Sequence, residues 1–244
     1  MLMKAFYDKN GYFVYPKLVD MSKCNQILES IRKHANKDYA AIMNPDRIDF
    51  LAEQSPIKNE EILQETATLM RNIMKDQSIV EVLEYFQEES VVGLMSQMLF
   101  KEVGSPYANQ AWNPHQDNAY PQNKNNKYLT TNLFLEDANL INGTMFFYPK
   151  SHREPLLPFN PAKSYRENIG DNPGAAVNVP SKYKKVDVCF KKGDVLFLHG
   201  NTIHGSYPNV SKKYSRPLYS CSYISKGEEF ISGNTAKREI IYLN

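Results

Sequence analysis

From residue 91 onward the chain is a succession of short β-prone runs, five to eight residues each, cut by Gly, Pro and Asn. Such a chain builds a double-sheet sandwich or a jelly roll. The runs predict strands near Gly93 to Lys101, Trp112 to Gln116, Tyr128 to Leu135, Gly143 to Tyr148, Val186 to Phe190, Val195 to His199, Thr202 to Ser206 and Ser215 to Ile224. Residues 1–90 read differently. A turn at Asn10-Gly11 leads into a strand from Tyr12 to Tyr15. A helix then begins at Asp20 or Ser22, with Cys24, Ile27, Leu28 and Ile31 on one face. Two further helical tracts, Ile62 to Met74 and Ile79 to Phe86, repeat the three- and four-residue spacing, and the polar stretch 36–60 reads as a loop or weak helix. The expected fold is mainly β with flanking helices: one domain over 1–244, its helical part at 1–90 packed outside a β core at 91–244. The Pro- and Asn-containing excursion at 150–185 is long for a compact domain and is expected to form a lid, with 36–60 beside it.

Composition narrows the setting. A net charge of +2 with short lysine runs offers nothing to nucleic acid or an anionic membrane. No run approaches the roughly 18 apolar residues of a membrane span, and the N-terminus has no signal-peptide pattern. Cys24, Cys189 and Cys221 are odd in number and widely spaced, which suits a reducing, cytoplasmic setting rather than a disulfide framework. Nothing in the sequence sets an oligomeric state.

Within the β region, His115 and Asp117 stand two apart in Asn113-Pro114-His115-Gln116-Asp117. On an extended segment that spacing turns both side chains to one face. An imidazole and a carboxylate so placed are two thirds of the 2-His-1-carboxylate triad that holds Fe(II) and leaves open positions. An isolated His-x-Asp is common, and the bland reading is a solvated loop pair. A third ligand must come from His152, His199 or His204; His34 lies in the first helix and reads as surface.

Several short motifs occur in a fixed order: Pro114-His115-Gln116-Asp117, Leu135-Glu136-Asp137-Ala138, Asn142-Gly143, Tyr148-Pro149-Lys150-Ser151-His152-Arg153, Lys192-Gly193-Asp194-Val195, His204-Gly205-Ser206, Pro208-Asn209 and Arg216. Together they resemble the phytanoyl-CoA dioxygenase family of Fe(II)- and 2-oxoglutarate-dependent oxygenases, most clearly over 95–224. The resemblance implies a double-stranded β-helix (jelly roll, cupin-like) with His115, Asp117 and His204 as iron ligands. It casts His152 as a turn organiser and His199 as a packed histidine. Arg216 matches the family arginine that grips the distal carboxylate of 2-oxoglutarate through a bidentate fork, and Ser206 is placed to donate to the same carboxylate. The interval from His204 to Arg216 is twelve residues, one more than the family's, and a longer turn at Asn209 to Tyr214 would absorb it. Met98 and Asn132 match positions lining the co-substrate pocket, although the family often has an aromatic at the second. Gln110, Trp112, Asn113 and Tyr120 flank the metal motif as candidate substrate contacts.

The implied activity is hydroxylation of an unactivated C–H bond, consuming O2 and 2-oxoglutarate and releasing succinate and CO2, on a small polar metabolite, for instance in natural-product biosynthesis. Asp117 argues against halogenation, which needs that ligand position free. Two other classes stay open at this point: a metal-dependent cupin (isomerase or ring-cleaving dioxygenase) without 2-oxoglutarate, and a catalytically silent binding protein.

Overall fold

The computed structural model describes residues 2–36, 41–161, 175–234 and 236–243. The elements run α1 (Leu2–Asn10), β1 (Tyr12–Tyr15), α2 (Met21–Arg32), β2 (Ala41–Met43), α3 (Ile48–Gln54), α4 (Glu60–Met74), α5 (Gln77–Gln87), β3 (Val91–Leu99), β4 (Trp112–His115), β5 (Tyr128–Phe134), β6 (Met145–Phe147), β7 (Phe159–Pro161), β8 (Ala175–Val177), β9 (Val186–Asp187), β10 (Val195–His199), β11 (His204–Ser206) and β12 (Leu218–Ser225). The strands form two antiparallel six-stranded sheets, ordered β1-β10-β5-β12-β3-β2 and β7-β8-β4-β11-β6-β9.

The helices cover one face of the first sheet. Asp20 caps α2 by accepting from the Lys23 amide, and Cys24, Ile27, Leu28 and Ile31 turn inward. The α4 stripe of Leu63, Ala67, Met70, Ile73 and Met74 joins them against Leu129, Leu133, Val195, Phe197, Tyr219 and Tyr223. Each such side chain contributes about 1.5–3 kcal/mol by leaving water. Met74 O, at the end of α4, lacks a helical partner and accepts from the Tyr223 hydroxyl at 3.0 Å, while the Tyr219 hydroxyl donates to Met70 O one turn earlier at 3.0 Å. That pair of bonds ties α4 to β12. The other face of the first sheet looks toward the second. There Tyr12, Phe134, Phe147, Phe190, Leu196, Leu198 and Leu218 fill one part of the interior. Along β10, Val195 and Phe197 face the helices while Leu196 and Leu198 face inward, as period-two alternation requires. The rest of the space between the sheets is a cavity.

Several expectations are corrected. In the stretch expected as loop or weak helix, α3 is the short helix, but residues 41–43 are a strand: β2 extends the main sheet beside β3, with Ala41, Met43 and Gln54 lining the cavity. The strand was hidden because three residues are too few to show alternation. His34 is not on the surface. It is fully buried, with Nδ1 2.7 Å from Ser55 Oγ and Nε2 3.0 Å from Thr66 Oγ1, because α3 and α4 close over the end of α2. Within 150–185, β7 pairs antiparallel with β8, which lies beside β4, and Phe159 reaches the cavity wall. The rest of that expected lid, 162–174, lies outside the described residues, as does 37–40 of the other segment.

Candidate active site

β4 and β11 lie side by side, with His115 directly opposite His204. β4 ends at His115, one residue earlier than expected. Gln116 keeps the extended backbone, and Asp117 opens a short 3-10 turn through Ala119. The alternation therefore survives just far enough to return Asp117 to the face of His115. Gln116 points the other way and fastens the segment, its amide donating to Asn201 O at 3.0 Å and its carbonyl accepting from the Leu157 amide at 2.8 Å.

The ligand atoms of His115, Asp117 and His204 lie within 4.8 Å of one another, the only such cluster of three among the described residues. Asp117 Oδ1 is 3.4 Å from His115 Nε2 and 3.6 Å from His204 Nε2. Each imidazole is oriented from behind: His115 Nδ1 is 2.7 Å from Asn113 O, and His204 Nδ1 is 2.9 Å from Thr202 O. A backbone carbonyl only accepts, so each Nδ1 carries the proton and each Nε2 lone pair faces the centre. Asp117 Oδ2 accepts from the Thr130 hydroxyl at 3.0 Å, leaving Oδ1 as the free ligand atom. Burial pushes the His204 pKa down to about 4 despite the nearby Asp117 carboxylate. Burial alone would raise the Asp117 carboxyl, but His204, His115 and the Thr130 bond outweigh it and hold it at about 2. Two neutral imidazoles and a carboxylate are the donor set a divalent metal needs, so the residues fit Fe(II).

The triad borders a cavity of about 1000 Å³ between the sheets. Ser206, Leu218 and Arg216 line it at one end. Arg216 is completely buried; its Nε donates to Gly143 O at 3.1 Å, while Nη1 has no hydrogen-bond partner. Burial lowers its pKa to about 10, which leaves it charged at neutral pH. The segment before it folds as a turn. Asn209 donates to Tyr214 O at 2.9 Å and Ser211 accepts from Tyr214 N at 2.9 Å, so Lys212 and Lys213 stay outside.

Lys101, just beyond β3, was not singled out by the sequence. It is buried, donates to Ser206 Oγ at 2.9 Å and bonds the Tyr207 carbonyl. Burial, then the charge of Arg216, hold its ammonium well below the usual lysine range. Among the described residues no carboxylate pairs with either base. The only signal in the sequence was a lysine ending an apolar strand.

Of the other expected contacts, Gln110, Trp112, Tyr120 and Asn132 line the cavity. Asn113 does not. β4 carries a bulge, since the two-residue step from His204 to Ser206 faces the three-residue step from His115 to Trp112. The bulge turns both Trp112 and His115 inward and leaves Asn113 exposed, its carbonyl serving His115. Met98 is also corrected. On β3 the residues facing the cavity are Met95, Gln97 and Leu99, and Met98 packs in the helix-covered core. His152 and His199 lie elsewhere, packed edge-to-face at 5.3 Å. The C-terminal segment supplies a wall that sequence reasoning missed, with Gly233, Asn234, Ala236 and Arg238 on it.

Comparisons with known proteins agree with this geometry. The family model for phytanoyl-CoA dioxygenase (PhyH) matches residues 7–218. Peroxisomal phytanoyl-CoA dioxygenase of Rattus norvegicus is 24% identical over 249 residues, covering 98% of this chain and 72% of that protein. Phytanoyl-CoA dioxygenase of Arabidopsis thaliana is 32% identical over 130 residues, 51% of this chain and 43% of that protein. Among solved structures, the non-heme alpha ketoglutarate dependent epimerase SnoN from nogalamycin biosynthesis superposes with a TM-score of 0.72 at 20% identity, covering 100% of this chain and 97% of SnoN. SnoN has also been solved with Fe3+, alpha ketoglutarate and nogalamycin RO (TM-score 0.69, 22% identity, 100% and 94% coverage). With its triad intact on this double-sheet barrel, the chain belongs to the phytanoyl-CoA dioxygenase (PhyH) family of Fe(II)- and 2-oxoglutarate-dependent oxygenases.

Proposed function

We propose that this protein uses Fe(II), 2-oxoglutarate and O2 to hydroxylate an unactivated C–H bond of a small polar molecule, with His115, Asp117 and His204 as the metal ligands. The observation that carries the 2-oxoglutarate assignment is the unpartnered Nη1 of buried Arg216, in the same cavity as the triad. An isolated guanidinium out of water is costly unless a ligand anion completes it. A carboxylate fits the planar fork bidentately. Ser206, whose oxygen accepts from Lys101, keeps its own proton free to donate to that carboxylate. Lys101 stands behind Ser206 and holds its oxygen through the 2.9 Å bond. Asn132, opposite Ser220 on β12, offers an amide to the middle of the same molecule.

When bound, iron with 2-oxoglutarate and O2 supplies the oxidising chemistry, yielding succinate and CO2 and delivering one oxygen atom to the substrate. The chain's own residues set the geometry. The carbonyls of Asn113 and Thr202 hold the ring tautomers, Thr130 turns Asp117, and the wall of Gln110, Trp112 and Tyr120 positions the substrate on the remaining side. A cupin that needs no carboxylate clamp leaves Arg216 and Lys101 without a use.

The test is 2-oxoglutarate turnover, read as succinate formed in air with Fe(II) and ascorbate. Expected is iron-dependent succinate, lost in His115→Ala and His204→Ala, with Arg216→Ala raising the 2-oxoglutarate requirement. Full succinate formation by Asp117→Ala without added formate or acetate would refute the ligand assignment.

A further inference from the structure

A second buried arginine, Arg238, enters the cavity from the end opposite Arg216. The two are far apart along the sheet. The Arg216 amide bonds Lys101 O and the Glu239 amide bonds Leu94 O, so seven residues of chain along β3 separate the two attachment points. At about 3.3 Å per residue that is roughly 23 Å of strand.

Arg238 is 6% exposed and its Nε is buried with no hydrogen-bond partner; Nη1 makes a long 3.4 Å contact to Ser232 O, and the guanidinium also hydrogen-bonds the Tyr128 side chain. Among the described residues no carboxylate lies within ion-pair distance of it. Its neighbour Glu239 points outward to Arg47 and Lys237, and the Asp117 carboxylate is taken by Thr130 and the metal centre. The segment that carries Arg238 is anchored. Ile231 N donates to Pro121 O at 2.7 Å, Arg238 N to Ser232 O at 2.8 Å, and Glu239 N to Leu94 O at 3.0 Å. Gly233, with φ at +77°, makes the room: a Cβ there would stand 3.0 Å from Arg238 Nη1. The guanidinium is 5.8 Å from the Tyr120 ring centroid, and Tyr120 and Tyr128 line the same stretch of wall.

An anchored, buried arginine that lines a cavity, keeps an unpaired Nε–H and meets no carboxylate among the described residues is a site for an anion. We propose that Arg238, flanked by Tyr120 and Tyr128, binds a carboxylate of the primary substrate, so that the oxygenase acts on a small carboxylic acid held between this anchor and the metal. The proposal rests on the oxygenase reading of the cavity. A single planar fork beside phenols matches a planar carboxylate, whose two oxygens take the paired N–H donors. It also orients the acid: the carboxylate sits away from the metal, and a carbon further along the molecule faces the triad.

The experiment is anaerobic calorimetry on the Fe(II)-loaded protein at saturating 2-oxoglutarate. The probes are propionate, benzoate and phenylacetate, each beside its primary amide. The expected result is at least one acid binding about tenfold or more tighter than its amide, the scale of a charge-assisted hydrogen bond. That preference should vanish in Arg238→Gln and survive in part in Arg238→Lys, with 2-oxoglutarate affinity unchanged in both. The inference is overturned if no acid outbinds its amide in the native protein, or if the preference persists in Arg238→Gln. If Arg238→Gln instead weakens 2-oxoglutarate itself, Arg238 is part of the co-substrate clamp and the assignment of Arg216 fails with it.

Discussion

Replacing Thr130 by valine removes one hydroxyl and little volume, at a place where that hydroxyl touches the metal centre only through Asp117. The bond from Thr130 Oγ1 to Asp117 Oδ2 is 3.0 Å, and it is the carboxylate's other oxygen that approaches both imidazoles. Its loss frees Asp117 to rotate and leaves Oδ2 without its donor. A hydrogen bond to a charged group contributes about 1.5–3 kcal/mol. Asp117 keeps partial solvent access, its side chain being 18% exposed, so water replaces part of that and the lower half of the range applies. About 1.5–2 kcal/mol corresponds to a ten- to thirtyfold weaker Fe(II) site, within the range typical of groups behind metal ligands. The assay is an anaerobic Fe(II) titration of Thr130→Val, with the melting temperature of the metal-free protein measured in parallel. Unchanged iron affinity in a folded Thr130→Val would refute the claim that this hydroxyl positions Asp117. Thr130→Ser should recover most of the loss.

Lys101→Met should weaken 2-oxoglutarate, since it removes the amine that holds the Ser206 hydroxyl toward the co-substrate and whose charge burial and Arg216 disfavour until an anion arrives; normal co-substrate affinity in a folded variant would contradict this. Gly205→Ala should destabilise by about 1–3 kcal/mol, because a Cβ there meets Phe146 Cζ and Trp112 O at 2.5 Å each, and β11 must shift between its neighbours; denaturant unfolding reads it. Acid should also weaken the fold through His199, whose pKa burial, then the charge of His152, lower to about 3. The unfolded chain binds that proton near 6.5 and the folded chain does not, so stability falls as pH drops, by roughly 2 kcal/mol at pH 5. His199→Gln should flatten the stability curve between pH 7 and 5.

The parts legible in the sequence were those whose signal is local. His115 and Asp117 announced themselves by a two-residue step, and Asn209 marked a turn that keeps Arg216 inside. The helices showed their stripes at Cys24 to Ile31 and Leu63 to Met74. What stayed hidden depends on pairing between distant segments. β3 is buried on both faces over most of its length, so alternation is silent there and Met98 was placed on the wrong side. Asn113 was misplaced by a bulge that only the β4–β11 register reveals. His34 looks exposed until α3 and α4 are known to cover it. Lys101 and Arg238 lie past the ends of strands, where nothing local distinguishes a buried cation from a surface one.

The most direct measurement is an anaerobic titration of the metal-free protein with Fe(II) and then 2-oxoglutarate, followed by visible absorption. The account expects a metal-to-ligand charge-transfer band that appears only with both, saturates at one 2-oxoglutarate per iron, and is lost at the same concentrations in Arg216→Ala. Iron binding without any such band in the native protein would contradict it.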